Sequence, residues 1–174
     1  MRHNPGRPAP DEHHPYYALY VDRVPEGDIV GHLERQLADT LALIAPLTPA
    51  QATFRPKPDD WHIIQVMGHL ADSERVFSYR ALRFGRNDPT PLPGIDQDVL
   101  MAGSAFDRRP LGDVLAEFAA ARRATISLFA SLEPEAWLRR GNADGNPASV
   151  RALAYITAGH ELHHIADFHA RYGI

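Results

Sequence analysis

The sequence predicts an all-α fold, a four-helix bundle, on three observations. Four segments carry apolar residues at steps of three and four, and no segment alternates with period two. The chain has 174 residues, the length of one domain, and buries roughly 70% of the surface its unfolded form would expose. A core of ordinary stability then needs no staple.

Residues 1–15 are rich in Pro and His with no lasting period and read as a disordered tail before a domain spanning 16–174. Tyr16, Tyr17, Leu19 and Tyr20 form an arm able to pack on that domain. From about 26 to 45, Ile29, Val30, Leu33, Leu37, Leu41 and Ile44 mark the first amphipathic helix, ended by Pro46. Thr48-Pro49-Ala50-Gln51-Ala52 predicts a capped single turn with Pro at its first position. The second helix runs from about 61 to 84, with Ile63, Val66, Leu70, Phe77, Ala81 and Phe84 inward, Asp59 or Asp60 as cap and Gly85 closing it.

Residues 86–109 form a long connection in which Asp96 to Ala102 predicts a short helix. The third helix begins near Pro110 and turns Leu111, Val114, Leu115, Phe118, Thr125 and Phe129 inward. Gly141 to Pro147 reads as a loop. The fourth helix starts at Ser149 as N-cap and runs to about Tyr172. The 86–109 connection is long enough to return along a helix of about 36 Å, at 1.5 Å per residue. The expected topology is therefore up-down-down-up, with the crossover between helices two and three.

Ten His and no Cys restrict any metal site to nitrogen and oxygen ligands. His160 and His164 are four apart and stand about 40° from each other, on the face that also carries Val150, Leu153, Thr157 and Phe168. Two stacked inward imidazoles must find polar partners or lose solvation at a cost, and one divalent cation satisfies both. His160-Glu161-Leu162-His163-His164 also matches H-E-x-x-H, the zinc-protease helix. Only ten residues follow His164, so the third ligand has to come from upstream.

His69 is that candidate. It lies about eight residues from the start of helix two, and His164 about eight from the end of helix four. In antiparallel helices both sit about 12 Å from the same end of the bundle. Glu161, about 100° from His160, is a general base, an acceptor supporting a ligand, or a salt-bridge partner. Asp72, Ser73, Glu74 and Arg80 follow His69 on its helix as candidate pocket residues. Trp61 and Trp137 read as structural anchors. His3, His13 and His14 fall in the tail, His32 and His62 at the surface or a helix start, His163 beside the site or exposed, and His169 on the opposite face.

The net charge of −4 gives none of the basic balance of a nucleic-acid binder. No apolar run approaches the ~18 residues of a membrane span, and the N-terminus lacks the apolar region of a secretory signal. A cytoplasmic location is expected.

Trp61 with Gln65-Val66-Met67-Gly68-His69-Leu70-Ala71-Asp72-Ser73-Glu74-Arg75, then Tyr79-Arg80-Ala81-Leu82-Arg83, Pro91-Leu92-Pro93-Gly94 and Gly159-His160-Glu161-Leu162-His163-His164 together resemble the DinB-like superfamily. The resemblance covers about Tyr16 to Tyr172. It implies a four-helix bundle and a homodimer linked to stress response, with a divalent metal held by His69, His160 and His164. Nickel or zinc is the metal such a resemblance favours, and three His suit iron as well. It further implies a small-molecule substrate and either hydrolysis or transfer of a low-molecular-weight thiol. With no Cys in the chain, that thiol arrives as a cosubstrate. A non-catalytic metal or ligand-binding dimer is the competing class. One departure concerns the start of helix two, where the family's Ser and Glu capping pair is replaced by His62 and Gln65, which shifts the expected cap to Asp60.

Overall fold

The computed structural model describes residues 4–174. Its bundle consists of α1 (Ile29–Ile44), α2 (Ile63–Gly85), α3 (Leu111–Ala130) and α4 (Val150–Asp167), the last extended by a π-helical turn, Phe168–Tyr172. The inward faces are those marked by the apolar spacing. Ile29, Leu33 and Ile44 on α1, Ile63 and Ala81 on α2, and Val114 and Phe118 on α3 are completely buried. Side-chain caps start three of the helices. Asp28 accepts from the Gly31 N–H at 3.0 Å, and Ser149 accepts from the Ala152 N–H at 3.0 Å.

At α2 the cap differs from the expected Asp60. His62 Nδ1 accepts from the Gln65 N–H while Gln65 Oε1 accepts from the His62 N–H, both at 3.3 Å. An imidazole nitrogen thus replaces the usual hydroxyl in a reciprocal capping box. The end of α2 also differs. Gly85 is its last helical residue, and the left-handed position is taken by Asn87 (φ 62°). Asn87 and Asp88 N–H groups bond back to the Phe84 and Arg83 carbonyls at 2.9 Å. These two bonds make a Schellman ending, in which Asn is tolerated because its short side chain accepts that conformation.

Contacts between helices fix the topology. Going along α2, Gly68 packs on Phe106, Glu74 on Arg122 and Gly85 on Leu132, so α2 and α3 run parallel. Gly85 also lies by Val150, and the Trp61 carbonyl accepts from the Tyr172 hydroxyl at 2.7 Å, so α2 and α4 are antiparallel. Gln36 donates to the Ala158 carbonyl and Thr40 to Glu161, which makes α1 and α4 parallel. The bundle is therefore up-down-down-up. The crossover carries a short helix, Gln97–Gly103, capped by Asp96.

The segment read as a loop after α3 is partly a hairpin. Strand β1 (Arg140–Ala143) pairs with β2 (Asn146–Ser149) across Asp144 and Gly145, whose φ values are 57° and 74°. Two successive positive φ values make the tight turn whose twist suits a hairpin. Leu92 of the crossover joins this hairpin through bonds to Asn142 and Asp144, both 2.9 Å.

From residue 4 onward the expected tail instead lies on the domain. Arg7 donates to the Val21 and Val24 carbonyls at 2.6 Å. Glu12 is 2% exposed, pairs with Arg151 and accepts from the Ser149 hydroxyl at 2.6 Å. His13 is buried with it. His3 lies outside the described residues.

The core has two apolar clusters. One gathers Phe77, Phe84, Phe129, Trp137 and Leu153 near the hairpin, and the other gathers Ile63, Met67, Phe106, Phe118 and Phe168 at the opposite end. Trp137 stacks on Phe129 with ring centroids 5.4 Å apart, the anchoring role expected of it. Between the clusters on the four helices fall the buried polar residues Thr40, Glu74, Arg122, Thr125, His160 and Glu161. This polar layer is where a site can be built.

Candidate metal centre

His69 on α2 and His160 and His164 on α4 meet through one nitrogen each. His160 Nε2 is 3.1 Å from His69 Nε2 and 3.1 Å from His164 Nε2, and the three ligand atoms lie within 4.8 Å of one another. The antiparallel pairing of α2 and α4 brings them to one level, as the length argument requires. His69 and His160 are 7% and 5% exposed, and His164 is half-buried.

The spacing suits a shared cation. Nitrogens bound at ~2.0–2.1 Å to one ion stand about 2.9 Å apart at a right angle and about 3.4 Å apart at the tetrahedral angle. Protons alone satisfy the cluster poorly, because the single Nε2 position of His160 carries either one hydrogen or one lone pair and faces two partners. The rings are also held neutral. Burial pushes His69 down to about 4, against the opposing pull of Asp98. Burial, with His69 and His163 adding to it, pushes His164 down to about 3. His160 falls well below its ordinary value for the same reason, with its His neighbours and Arg122 adding to burial. Neutral imidazoles present the lone pairs that a metal takes.

Glu161 has the third of the places open to it. Its Oε2 accepts from Arg122 Nη1 at 2.6 Å and its Oε1 from the Thr40 hydroxyl at 2.5 Å. With both oxygens engaged and 1% of the residue exposed, the contacts of Glu161 are those of the ion-pair partner among its three expected roles. Glu74 takes the other side of the same guanidinium at 2.8 and 2.9 Å. Burial opposes the Arg122 charge, but the two carboxylates outweigh it and keep Arg122 protonated.

The α2 residues beyond His69 divide. Ser73 and Arg80 line a cavity of about 430 Å³ that reaches His69 and His160, while Glu74 turns to Arg122 and Asp72 pairs with Arg75 at the surface. A second, more open cavity of about 310 Å³ lies on the His164 side, with Trp61, Asp98 and Arg171 in its wall. The Trp61 ring is 5.3 Å from His69, so this anchor also borders the site. His163 stands with its ring 5.4 Å from Tyr20, and its Nδ1 is buried without a hydrogen-bond partner. His32 pairs with Arg35, His62 caps α2, and His169 is exposed.

Two contributions escaped the sequence reading. Arg122 follows the inward Phe118 by four and precedes the inward Thr125 by three, so its place on the inner face of α3 was the available signal. Tyr20 packs its ring 5.1 Å from His160, and its hydroxyl lies 3.2 Å from that of Tyr16. Burial first, and the Tyr16 hydroxyl second, push Tyr20 up, so it remains a protonated phenol at the cavity wall. No periodicity marks it.

Fold and site together define a helical bundle with a tri-histidine cluster capable of holding a metal ion. The family model of the DinB superfamily matches residues 32–168, and the chain belongs to that superfamily. A search of the curated proteins finds no match. Among solved structures, the chain is similar to YfiT from Bacillus subtilis, described as "a probable metal-dependent hydrolase with an unusual four-helix bundle topology". The two share 18% identity over 79% of this chain and 80% of that one, with a TM-score of 0.69. Likeness at this identity is likeness of fold. No described helix is long and apolar enough to cross a membrane.

Proposed function

We propose that the protein is a metal-dependent enzyme acting on a small molecule, with a divalent ion held by the Nε2 atoms of His69, His160 and His164. The observation that carries this reading is the convergence of three neutral, largely buried imidazole nitrogens at 3.1 Å spacings beside a cavity. Three neutral ligands leave an ion its full charge and an open position, where it can lower the pKa of a bound water toward ~7 or polarise a carbonyl.

The chain's own groups do the rest. The paired Tyr16 and Tyr20 hydroxyls offer protons at the wall of the cavity, and Tyr17, Phe77, Leu153 and Ile156 exclude water around a bound molecule. The Arg122–Glu74–Glu161 network holds α2, α3 and α4 in the register that brings the three rings together.

Hydrolysis is the favoured reaction, supported by the description of YfiT and the shared fold. Transfer of a low-molecular-weight thiol is the second, supported by the family resemblance and requiring an external thiol. Nickel or zinc is the proposed ion. The homodimer implied by the resemblance and the cytoplasmic location expected from the sequence go with the same reading, and light scattering in solution tests the dimer.

Elemental analysis of tag-free protein tests the site. About one equivalent of metal per chain is expected in the parent protein and a marked loss in His69→Ala and His164→Ala. Near-stoichiometric metal in both variants overturns the triad.

A further inference from the structure

Arg80 is buried to 6% exposure in the wall of the larger cavity, yet no carboxylate pairs with it directly among the described residues. Its Nη2 donates to the Pro93 carbonyl at 3.0 Å, and it forms no ion pair among the described residues. The other guanidiniums drawn into the interior are matched: Arg122 lies between Glu74 and Glu161, and Arg151 meets Glu12. A guanidinium has five N–H donors in a planar fork, and the Pro93 bond uses one of them. A buried cation left with so few partners is costly, and an anion entering from the cavity relieves that cost.

The placement gives direction to such a ligand. Arg80 follows His69 by eleven residues, three turns of α2 and about 16 Å, and lies within about 20° of the same face. Helical side chains lean toward the N-terminus, so Arg80 leans back toward the His69 end. The cavity that both residues line also has Tyr17, Tyr20, Phe77, Leu153 and Ile156 in its wall, beside the polar Ser73 and Gln97. One guanidinium matches one carboxylate as a fork. Asp144, in the same wall, adds a negative charge that disfavours a dianion such as a phosphate monoester.

We infer that Arg80 anchors a carboxylate, and that the substrate is a small monoanionic acid with an apolar or aromatic body, its acid end at Arg80 and its reacting end at the histidines. The second half of this statement rests on the metal reading of the triad, whereas the first does not.

The test is calorimetric titration of the metal-loaded and the metal-free protein with 3-phenylpropanoate and with 3-phenylpropanamide, which differ in the anchored charge. The acid is expected to bind at least tenfold more tightly than the amide in both forms. That preference disappears in Arg80→Gln and returns in part in Arg80→Lys, with folding checked by thermal melting. The Arg80 Nε–H resonance of the unsubstituted protein gives a readout that needs no variant, and it shifts on addition of the acid and not the amide. Absence of any preference for the acid, including absence of binding by both probes, overturns the anchor. A preference that survives in Arg80→Gln overturns it as well, since the acid is then held elsewhere. If the protein takes up no metal while the Arg80-dependent preference stands, the metal reading fails and the anchor does not.

Discussion

Arg122 reaches Glu161 across the bundle with Nη1 2.6 Å from Oε2, and both residues are 1% exposed. Glu161 neighbours His160 in sequence, so the pair sets the α4 turn that aims the ligand-type nitrogen. Removing one partner from a buried pair leaves an uncompensated charge, which typically costs about 3–5 kcal/mol. Arg122→Ala strands two carboxylates and is expected to lose stability in that range by urea denaturation. Glu161→Gln keeps the shape and an oxygen to accept from Arg122, and its loss is expected to be smaller, about 1 kcal/mol. If Glu161 serves as the ion-pair partner alone, Glu161→Gln also retains its metal. A variant that keeps parental stability but loses metal returns Glu161 to the site.

The four helices were legible because each buries one stripe against its neighbours, which is the condition under which spacing reports structure. Hidden elements broke that condition in different ways. The hairpin at Arg140–Ser149 carries its Asp144-Gly145 turn signal between strands with no apolar alternation, and its pairing depends on Leu92 from the distant crossover. The His62 cap uses an imidazole where hydroxyl and carboxylate caps are the usual guide. In the site, the triad was readable from helical face and axial level. Tyr20 was not, because it arrives on an arm whose position depends on contacts that no local pattern encodes. Arg80 was legible as one of four candidate pocket residues on α2, and burial is what separates it from the solvated charges around it.

Metal removal provides a second test. An ion bound only by the native state stabilises it by RT ln(1 + [L]/Kd), about 4 kcal/mol at a thousandfold excess over Kd. Because His69 and the α4 histidines join antiparallel helices, the ion would cross-link the two. Treatment with chelator is expected to lower the melting temperature, and returning nickel or zinc to raise it again. An identical melting curve with and without chelator, on protein shown to contain metal beforehand, counts against a site formed between helices.

Gly159 is a steric prediction. A Cβ built there would stand 2.0 Å from the Tyr20 carbonyl oxygen and 2.4 Å from its carbon, so the arm lies directly on α4. Since the obstacle is backbone, no rotamer change relieves it. Gly159→Ala is expected to push the Ala18–Val21 turn away and lose about 1–3 kcal/mol, the usual scale of overpacking. Proteolysis within residues 16–24 would then accelerate relative to the parent protein. An unchanged digestion rate with unchanged stability contradicts the close approach.

The arm also makes stability depend on acid. Burial alone would raise the Glu12 carboxyl, but Arg151, the Ser149 hydroxyl and the Ala9 N–H together hold it at about 2, against an ordinary value of 4.5. A carboxyl depressed in the folded state contributes stability that is fully present above its unfolded pKa and is lost as the pH falls through its folded pKa. The contribution is on the order of 3 kcal/mol at about 1.4 kcal/mol per pKa unit. It is therefore present at pH 7 and fades between about pH 4.5 and 2. Because Ser149 is the N-cap of α4, this loss also loosens the start of the helix that carries His160 and His164. Glu12→Gln lacks the charge at every pH, so it is expected to be less stable than the parent protein at pH 7 and to approach it near pH 2. Urea denaturation of both proteins across that interval measures the difference, and a gap that stays constant with pH rules out the ion pair as its source.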